Sequence, residues 1–197
     1  MDQTDEALML RVRDGDVAKL GVLFERHHAA LFQFFRRMTG NRPAAEDLVQ
    51  DVFFRILKYR RTFRDDSRFT AWMFHIARNA RHDYFNKRPQ TVSEPETSLE
   101  RAGASIVPHE QMECEADSAL LEQALSELRE DKRELLVLAR YQELKYSEIA
   151  ELLGVDIGTV KVRVHRAVKE LRDIFLRLSG RQEPCSVKNS ATSLRTI

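Results

Sequence analysis

From about Asp16 to Met38 apolar side chains return at three- and four-residue steps: Leu20, Leu23, Phe24, Leu31, Phe34, Phe35 and Met38, with His27 on the same stripe. That spacing is one face of a helix. Thr39-Gly40-Asn41 ends it, and Pro43 stands where a new helix can start without losing a needed N–H. The second helix is expected to run to about Tyr59, with Leu48, Val49, Val52 and Ile56 facing inward. A loop, Thr62 to Ser67, follows. Asp66 or Ser67 can cap a third helix from Arg68 to about Lys87, stopped by Pro89. Within it Phe69, Trp72, Met73, Ile76 and Ala80 stand at core spacing. From Pro89 to about Gln111 the period vanishes into Pro, Ser, Thr and Glu. Such a stretch is long for a loop inside one compact domain and reads as a flexible acidic linker.

Helical patterning resumes near Cys114 and predicts segments over Glu115–Leu128, Asp131–Gln142, Ser147–Leu153 and Gly158–Leu171, the last two joined across Gly154. The tail from Ser179 to Ile197 is polar and unpatterned, and disorder is expected there. No segment alternates as a half-buried strand would. The expectation is therefore an all-α protein. Two small helical domains, 1–88 and 113–178, are joined by a flexible linker, 89–112, and followed by a tail, 179–197; the C-terminal domain carries a helix-turn-helix.

Composition narrows the class. Only 7 Gly and 5 Pro in 197 residues argue against a turn-rich β architecture, and 43% hydrophobic residues are enough for globular cores. The 2 cysteines, Cys114 and Cys185, have neither disulfide-framework nor zinc-site spacing, which fits a reducing compartment. No apolar run approaches the roughly 18 residues of a membrane span. Met1 to Asp5 is too acidic and polar for a signal peptide. A cytoplasmic protein without membrane insertion is expected.

The formal charge of +1 conceals a strong asymmetry. Residues 52–88 hold 10 basic against 3 acidic groups, whereas residues 89–126 hold 1 against 8. One surface of the chain is thus suited to a polyanion.

Three constellations carry candidate chemistry. The first is Tyr146 through Lys161, YSEIAELLGVDIGTVK: a short helix, a turn holding Gly154 and a second helix, the parts of a helix-turn-helix. Val160, Val164, Ala167 and Leu171 make the dry face of the second helix. Thr159, Lys161, Val162, Arg163, Arg166 and Lys169 make a basic face suited to a phosphate-lined major groove. The second lies on the helix Pro43–Tyr59, where Asp47, Gln50, Asp51, Phe54 and Lys58 share the stripe opposite the core. A Phe ringed by charge on an exposed stripe has the composition of a protein-binding hot spot. The third is the interleaving of aromatics with basic groups from Phe63 to Arg88. Arginines follow a phosphate backbone and aromatic faces stack unpaired bases. Most of those aromatics are at core spacing, which leaves the Phe63–Arg68 loop (with Arg64), Arg78, Asn79, Arg81 and Arg88 as candidate contacts to single-stranded nucleic acid.

These residues bring a family into view. The chain resembles the extracytoplasmic-function (ECF) sigma factors, the minimal members of the sigma-70 family. Ala45 to Phe53, AEDLVQDVF, looks like their polymerase-binding helix; Phe63 to Asn79, FRDDSRFTAWMFHIARN, resembles their −10 segment; Tyr146 to Ala167 resembles their −35-reading helix-turn-helix. The likeness covers about residues 5–88 and 115–178 in the family's order. It implies a subunit that binds core RNA polymerase and directs promoter-specific initiation, docking on the clamp helices through Asp47, Gln50, Asp51 and Phe54. A melted −10 strand would lie on Phe63, Arg64, Arg68, Arg78, Asn79, Arg81 and Arg88. The C-terminal domain would bind the polymerase flap and read −35 duplex through Tyr146, Ser147, Thr159, Lys161, Val162, Arg163, Arg166 and Lys169. The resemblance further implies regulation by an anti-sigma factor, a monomer when free, no cofactor, no metal and no catalysis. Asp156-Ile157 departs from the family's usual apolar residue and Pro, and Val162 from a frequent Ser.

Two other classes fit these residues less well. A homodimeric helix-turn-helix regulator usually brings a strand-containing sensor domain or coiled-coil heptads, and neither pattern is present. An enzyme would need a catalytic constellation, but the six histidines form no HExxH or cysteine-paired site. His27, on an apolar face, reads as a satisfied core histidine.

Overall fold

The computed structural model describes residues 3–87, 109–142 and 144–180, and within them the regular structure is entirely helical. The elements are α1 (Asp5–Arg13), α2 (Lys19–Thr39), α3 (Arg42–Tyr59), α4 (Phe69–Lys87), α5 (His109–Glu127), α6 (Glu130–Leu136), α7 (Tyr146–Leu153) and α8 (Ile157–Leu178). A single 3-10 turn, Arg60–Thr62, leads out of α3, and a π-helical segment, Val137–Tyr141, continues α6.

Local chemistry accounts for most boundaries. Asn41 caps α3 by accepting from the N–H of Ala44 at 2.8 Å, next to Pro43 in the first turn. α2 ends at Gly40, whose φ of 68° is left-handed. α1 was not among the sequence expectations, which began at Asp16. It is nevertheless well specified: Thr4 accepts from the N–H of Ala7 at 3.2 Å, Asp5 and Glu6 sit in the first turn, Arg11 and Arg13 in the last. Its Leu8, Met9 and Val12 are buried. α5 begins at His109, inside the stretch read as linker, because its first turns lack the apolar period that marks a buried face. Residues 89–108 of the expected linker, and the tail beyond Gly180, lie outside the described residues.

In the N-terminal unit α2 packs on α1 and α3, and α3 on α4. The core is aromatic: Phe34 meets Phe35 and Phe74 edge to face at ring separations of 5.2 and 5.4 Å. His27 is half-buried against Phe69 and shares its Nε2 hydrogen bond with Asp5 at 2.7 Å, tying α2 to α1. In the C-terminal unit α8 lies against α5, α6 and α7, burying Leu125, Leu136, Ile149, Val160, Val164 and Ala167. Every inward residue expected of α3 is buried, as is the dry stripe of α8 as far as Ala167.

The two units also touch each other. α2 meets α5, α6 and the π-helical segment, and α4 meets α7. Arg37 lies 3.9 Å from the ring centre of Tyr141 and donates to Glu122 at 3.0 Å. Gln142 donates to the carbonyl of Ala30 at 3.2 Å. Burial, with the Glu122 carboxylate, pushes the Tyr141 phenol above its ordinary value, against the pull of Arg37.

Candidate nucleic-acid interface

Three surfaces follow from this arrangement. On α3, packing of Leu48, Val49, Val52, Phe53 and Ile56 into the core turns the opposite stripe outward. Asp47 and Gln50 are exposed, and Phe54 is 65% exposed, high for a residue so apolar. Asp51 is half-buried because Arg55 holds it, donating from Nε at 2.8 Å; the same guanidinium reaches Asp83 of α4 at 2.7 Å. Burial works against the charge on Arg55, but the two carboxylates outweigh it and raise its pKa above the ordinary arginine value. The guanidinium thereby ties the stripe to α4.

The second surface is α4 with the loop that precedes it. Phe63 was expected to contact DNA and must be corrected: it is only 2% exposed. Its ring sits 5.2 Å from Trp72 and 6.4 Å from Phe69, both T-shaped, so it anchors the loop to the core. α1 braces the same loop. Arg13 donates to the carbonyl of Phe63 at 3.3 Å and pairs with Asp65, which raises its pKa. Glu6 accepts from the N–H of Phe69, the first amide of α4, at 3.3 Å, at the helix start where Asp66 or Ser67 was expected to serve as cap. Arg64 stands out in solvent at 78% side-chain exposure and Arg68 at 61%, and Asn79 is exposed beside His75. Arg88 lies outside the described residues.

Arg78 and Arg81 are placed differently. Arg78 donates from Nε to Glu134 of α6 at 2.9 Å and from Nη1 to the carbonyl of Leu152 in α7 at 2.9 Å. Arg81 is only 7% exposed and pairs with Glu130 and, at 3.4 Å, with Glu134. Glu134 is itself 5% exposed, a buried carboxylate between two guanidinium groups. None of these acidic partners was foreseen, because no local pattern announces a pairing across the chain.

The third surface is the helix-turn-helix. Gly154 ends α7 with φ +64°, and the N–H of Val155 closes the turn onto the carbonyl of Ala150 at 3.0 Å. Asp156 then caps α8, accepting from the N–H of Thr159 at 2.9 Å and from its hydroxyl. Those two bonds hold the Asp156 carboxyl below the usual aspartate value. A Cβ at Gly158 would come within 2.9 Å of Asp156 Oδ1, so glycine there lets the carboxylate fold over the first turn. Asp156-Ile157, odd in the sequence, is thus a cap followed by the first residue of the helix. Beyond it Lys161, Val162, Arg163, Arg166 and Lys169 are exposed, and among the described residues their cationic groups make no ion pair. Thr159 is half-buried with its hydroxyl spent on the cap; Tyr146 is half-buried and Ser147 exposed at the start of α7.

Among the described residues no helix is long and apolar enough to cross a membrane. Residues 23–90 match the description "Sigma-70 region 2" and residues 118–171 match "Sigma-70, region 4", each spanning one of the two units. The chain is 31% identical over 170 residues to the RNA polymerase sigma factor CarQ of Myxococcus xanthus, covering 85% of this chain and 95% of that one. It is likewise 31% identical over 160 residues to the ECF RNA polymerase sigma factor SigL of Mycobacterium tuberculosis, covering 80% and 89%. Among solved structures, CnrH in complex with the cytosolic domain of CnrY aligns with a TM-score of 0.66 at 25% identity, over 86% of this chain and 96% of CnrH. The sigma factor RpoE of Bartonella quintana, in complex with the anti-sigma factor NepR, aligns at 0.63 and 26%, over 78% and 94%. The homodimeric-regulator reading is not favoured by these relatives. An exposed basic helix-turn-helix, a basic α4 and an acidic-aromatic stripe on α3, carried on this fold and at this similarity, make the chain a member of the ECF RNA polymerase sigma factors of the sigma-70 family.

Proposed function

We propose a division of labour among the three surfaces of this sigma factor. Asp47, Gln50, Asp51 and Phe54 on α3 dock core RNA polymerase, and the apolar groove between α5 and α8, around Leu121, Val168, Leu171 and Phe175, receives the polymerase flap. Arg64, Arg68, Arg78, Asn79, Arg81 and Arg88 hold the melted −10 strand, with Phe63 supporting the loop from beneath. Tyr146, Ser147, Thr159, Lys161, Val162, Arg163, Arg166 and Lys169 face the −35 duplex. Lys161 and Val162, near the start of the recognition helix, read bases, while Arg163 and Lys169 meet phosphate.

The observation that carries this reading is the α8 face: four cationic side chains, exposed and without ion pairs among the described residues, on a helix whose other side is dry. A solvated surface helix normally intersperses acids among such bases. The domain division is proposed as 1–88 and 113–178. The chain acts where RNA polymerase is, in the cytoplasm, and an anti-sigma factor is its expected regulator; the Bartonella protein is seen in complex with the anti-sigma factor NepR. Run-off transcription tests the role: core polymerase supplemented with the chain should yield discrete transcripts from a subset of candidate promoters, and core alone none. Transcripts independent of the added chain would contradict it.

A further inference from the structure

The loop that carries Arg64 and Arg68 is electrically balanced within itself. Arg64-Asp65-Asp66-Ser67-Arg68 sets two guanidinium groups against two carboxylates, and a carboxylate beside a nucleic-acid strand repels its phosphates. Asp66 is matched inside the loop, 3.3 Å from Arg64, a loose pair between side chains that both stand in solvent. Asp65 is matched from outside. Arg13, in the last turn of α1, pairs with it across 52 residues of chain, and the same Nη1 donates to the carbonyl of Phe63 at 3.3 Å. Among the described residues Asp65 has no other cationic partner. The helix that supplies Arg13 is anchored, because its Leu8, Met9 and Val12 are buried in the core. Glu6 of the same helix takes the N–H of Phe69 at the far end of the loop. α1 therefore touches the loop at its beginning and at its end.

We propose that Arg13 is a positioning residue for the −10 strand: by taking up Asp65 and the Phe63 carbonyl it sets the loop and leaves the charge of Arg64 and Arg68 for phosphate. The inference rests on the reading of this loop as part of the strand-binding surface. Without Arg13, Asp65 is an unmatched carboxylate in the path of the strand, and it can turn onto Arg64 as Asp66 already does. With Arg13 added, the loop and its partner carry one net positive charge instead of none. Shape depends on the same residue. A connection between helices has no repeating backbone ladder to hold it. Between Arg64 and Arg68 the backbone closes on itself through the N–H of Ser67 and the carbonyl of Arg64 at 3.1 Å. The restraint from α1 supplements that single turn, at Phe63 on one side and Phe69 on the other.

The test uses holoenzyme, the full chain with core polymerase, and a fluorescein-labelled promoter fork whose −10 region is single-stranded, taken from a promoter that gives a run-off transcript. Arg13→Gln keeps a donor for the Phe63 carbonyl and loses the charge. It should weaken fork binding on the order of tenfold, the scale of one charge-assisted contact. Arg13→Gln/Asp65→Asn should recover most of that loss, because the carboxylate that Arg13 neutralised is gone. A residue that merely braced the fold would show no such recovery. Arg11→Gln is the control: it removes a charge from the same turn of α1 at a side chain that pairs with Asp16 and not with the loop, and it should bind as the parent. Circular dichroism melting checks that each variant folds. Arg64→Ala/Arg68→Ala examines the underlying reading and should weaken fork binding. If it binds as the parent, the loop is not a strand-binding surface, and the role of Arg13 falls with it. If it weakens binding while Arg13→Gln binds as the parent, or while Asp65→Asn restores nothing, the positioning role alone is overturned.

Discussion

The Nε of Arg78 donates to Oε1 of Glu134 at 2.9 Å and joins α4 to α6 across 56 residues of chain. It places a proposed −10 contact of the N-terminal unit in the hold of the C-terminal one. If Arg78 and Arg81 hold a melted strand in the open complex, removing their charge matters most when melting has still to occur. Arg78→Ala/Arg81→Ala should therefore reduce open-complex formation more on duplex promoters than on templates mismatched at −10. Permanganate footprinting on the two templates measures this; equal loss on both would point to a structural defect.

If the α3 stripe docks polymerase as proposed, docking and folding are separable, because Phe54 is 65% exposed while the core side of the helix is closed. Gln50→Ala/Phe54→Ala should leave circular dichroism unchanged and weaken core polymerase binding at least tenfold, about 1.4 kcal/mol. Full affinity in the folded double mutant, measured by fluorescence anisotropy, would remove the stripe from the interface.

Much of this was legible in the sequence, and the omissions share a cause. The exposed faces of α3 and α8 could be read because each is a pattern within one helix, where the inward residues fix the outward ones. α1 could have been found from Thr4, Asp5, Glu6 and the spacing of Leu8, Met9 and Val12, which together are start signals over a short run. Phe63 was misassigned because a loop has no period to say which way a ring points, and an aromatic beside arginines looks alike whether it stacks on a base or on Trp72. The acidic partners Glu130 and Glu134 had no local signature, because their pairing exists only once α6 is brought against α4.

The corrected place of Phe63 carries its own consequence. Phe63→Ala should lower stability by about 3–5 kcal/mol, as expected when a buried ring is deleted, with Phe63→Leu far milder. Urea unfolding followed through Trp72 reports it. A fully stable Phe63→Ala chain with poor −10 binding would restore the ring to the DNA surface.

Asp156 links the recognition helix to pH. A carboxylate held below its ordinary value of 3.8 adds stability that is fully present above that value and is lost as pH falls through the depressed one. The melting temperature of Asp156→Ala should lie below the parent's at neutral pH, and the gap should narrow once the pH drops below 3.8. Asp156→Ser, which can still accept from Thr159, should recover much of the difference at neutral pH. A gap that is constant down to pH 2 would show that the cap contributes nothing through its charge.

In the proposed mechanism this sigma factor directs polymerase through the exposed face of α8, with Lys161 and Val162 reading bases. The most direct measurement is transcription from a promoter library randomised at −35, using core polymerase with the parent, Lys161→Ala or Val162→Ser. Lys161→Ala should shift the preferred base at one position, by on the order of 1–3 kcal/mol, and Val162→Ser should change the preference at a neighbouring one, where a valine can favour a thymine methyl but donate no hydrogen bond. The same −35 preference from all three proteins would contradict it and place the reading face elsewhere.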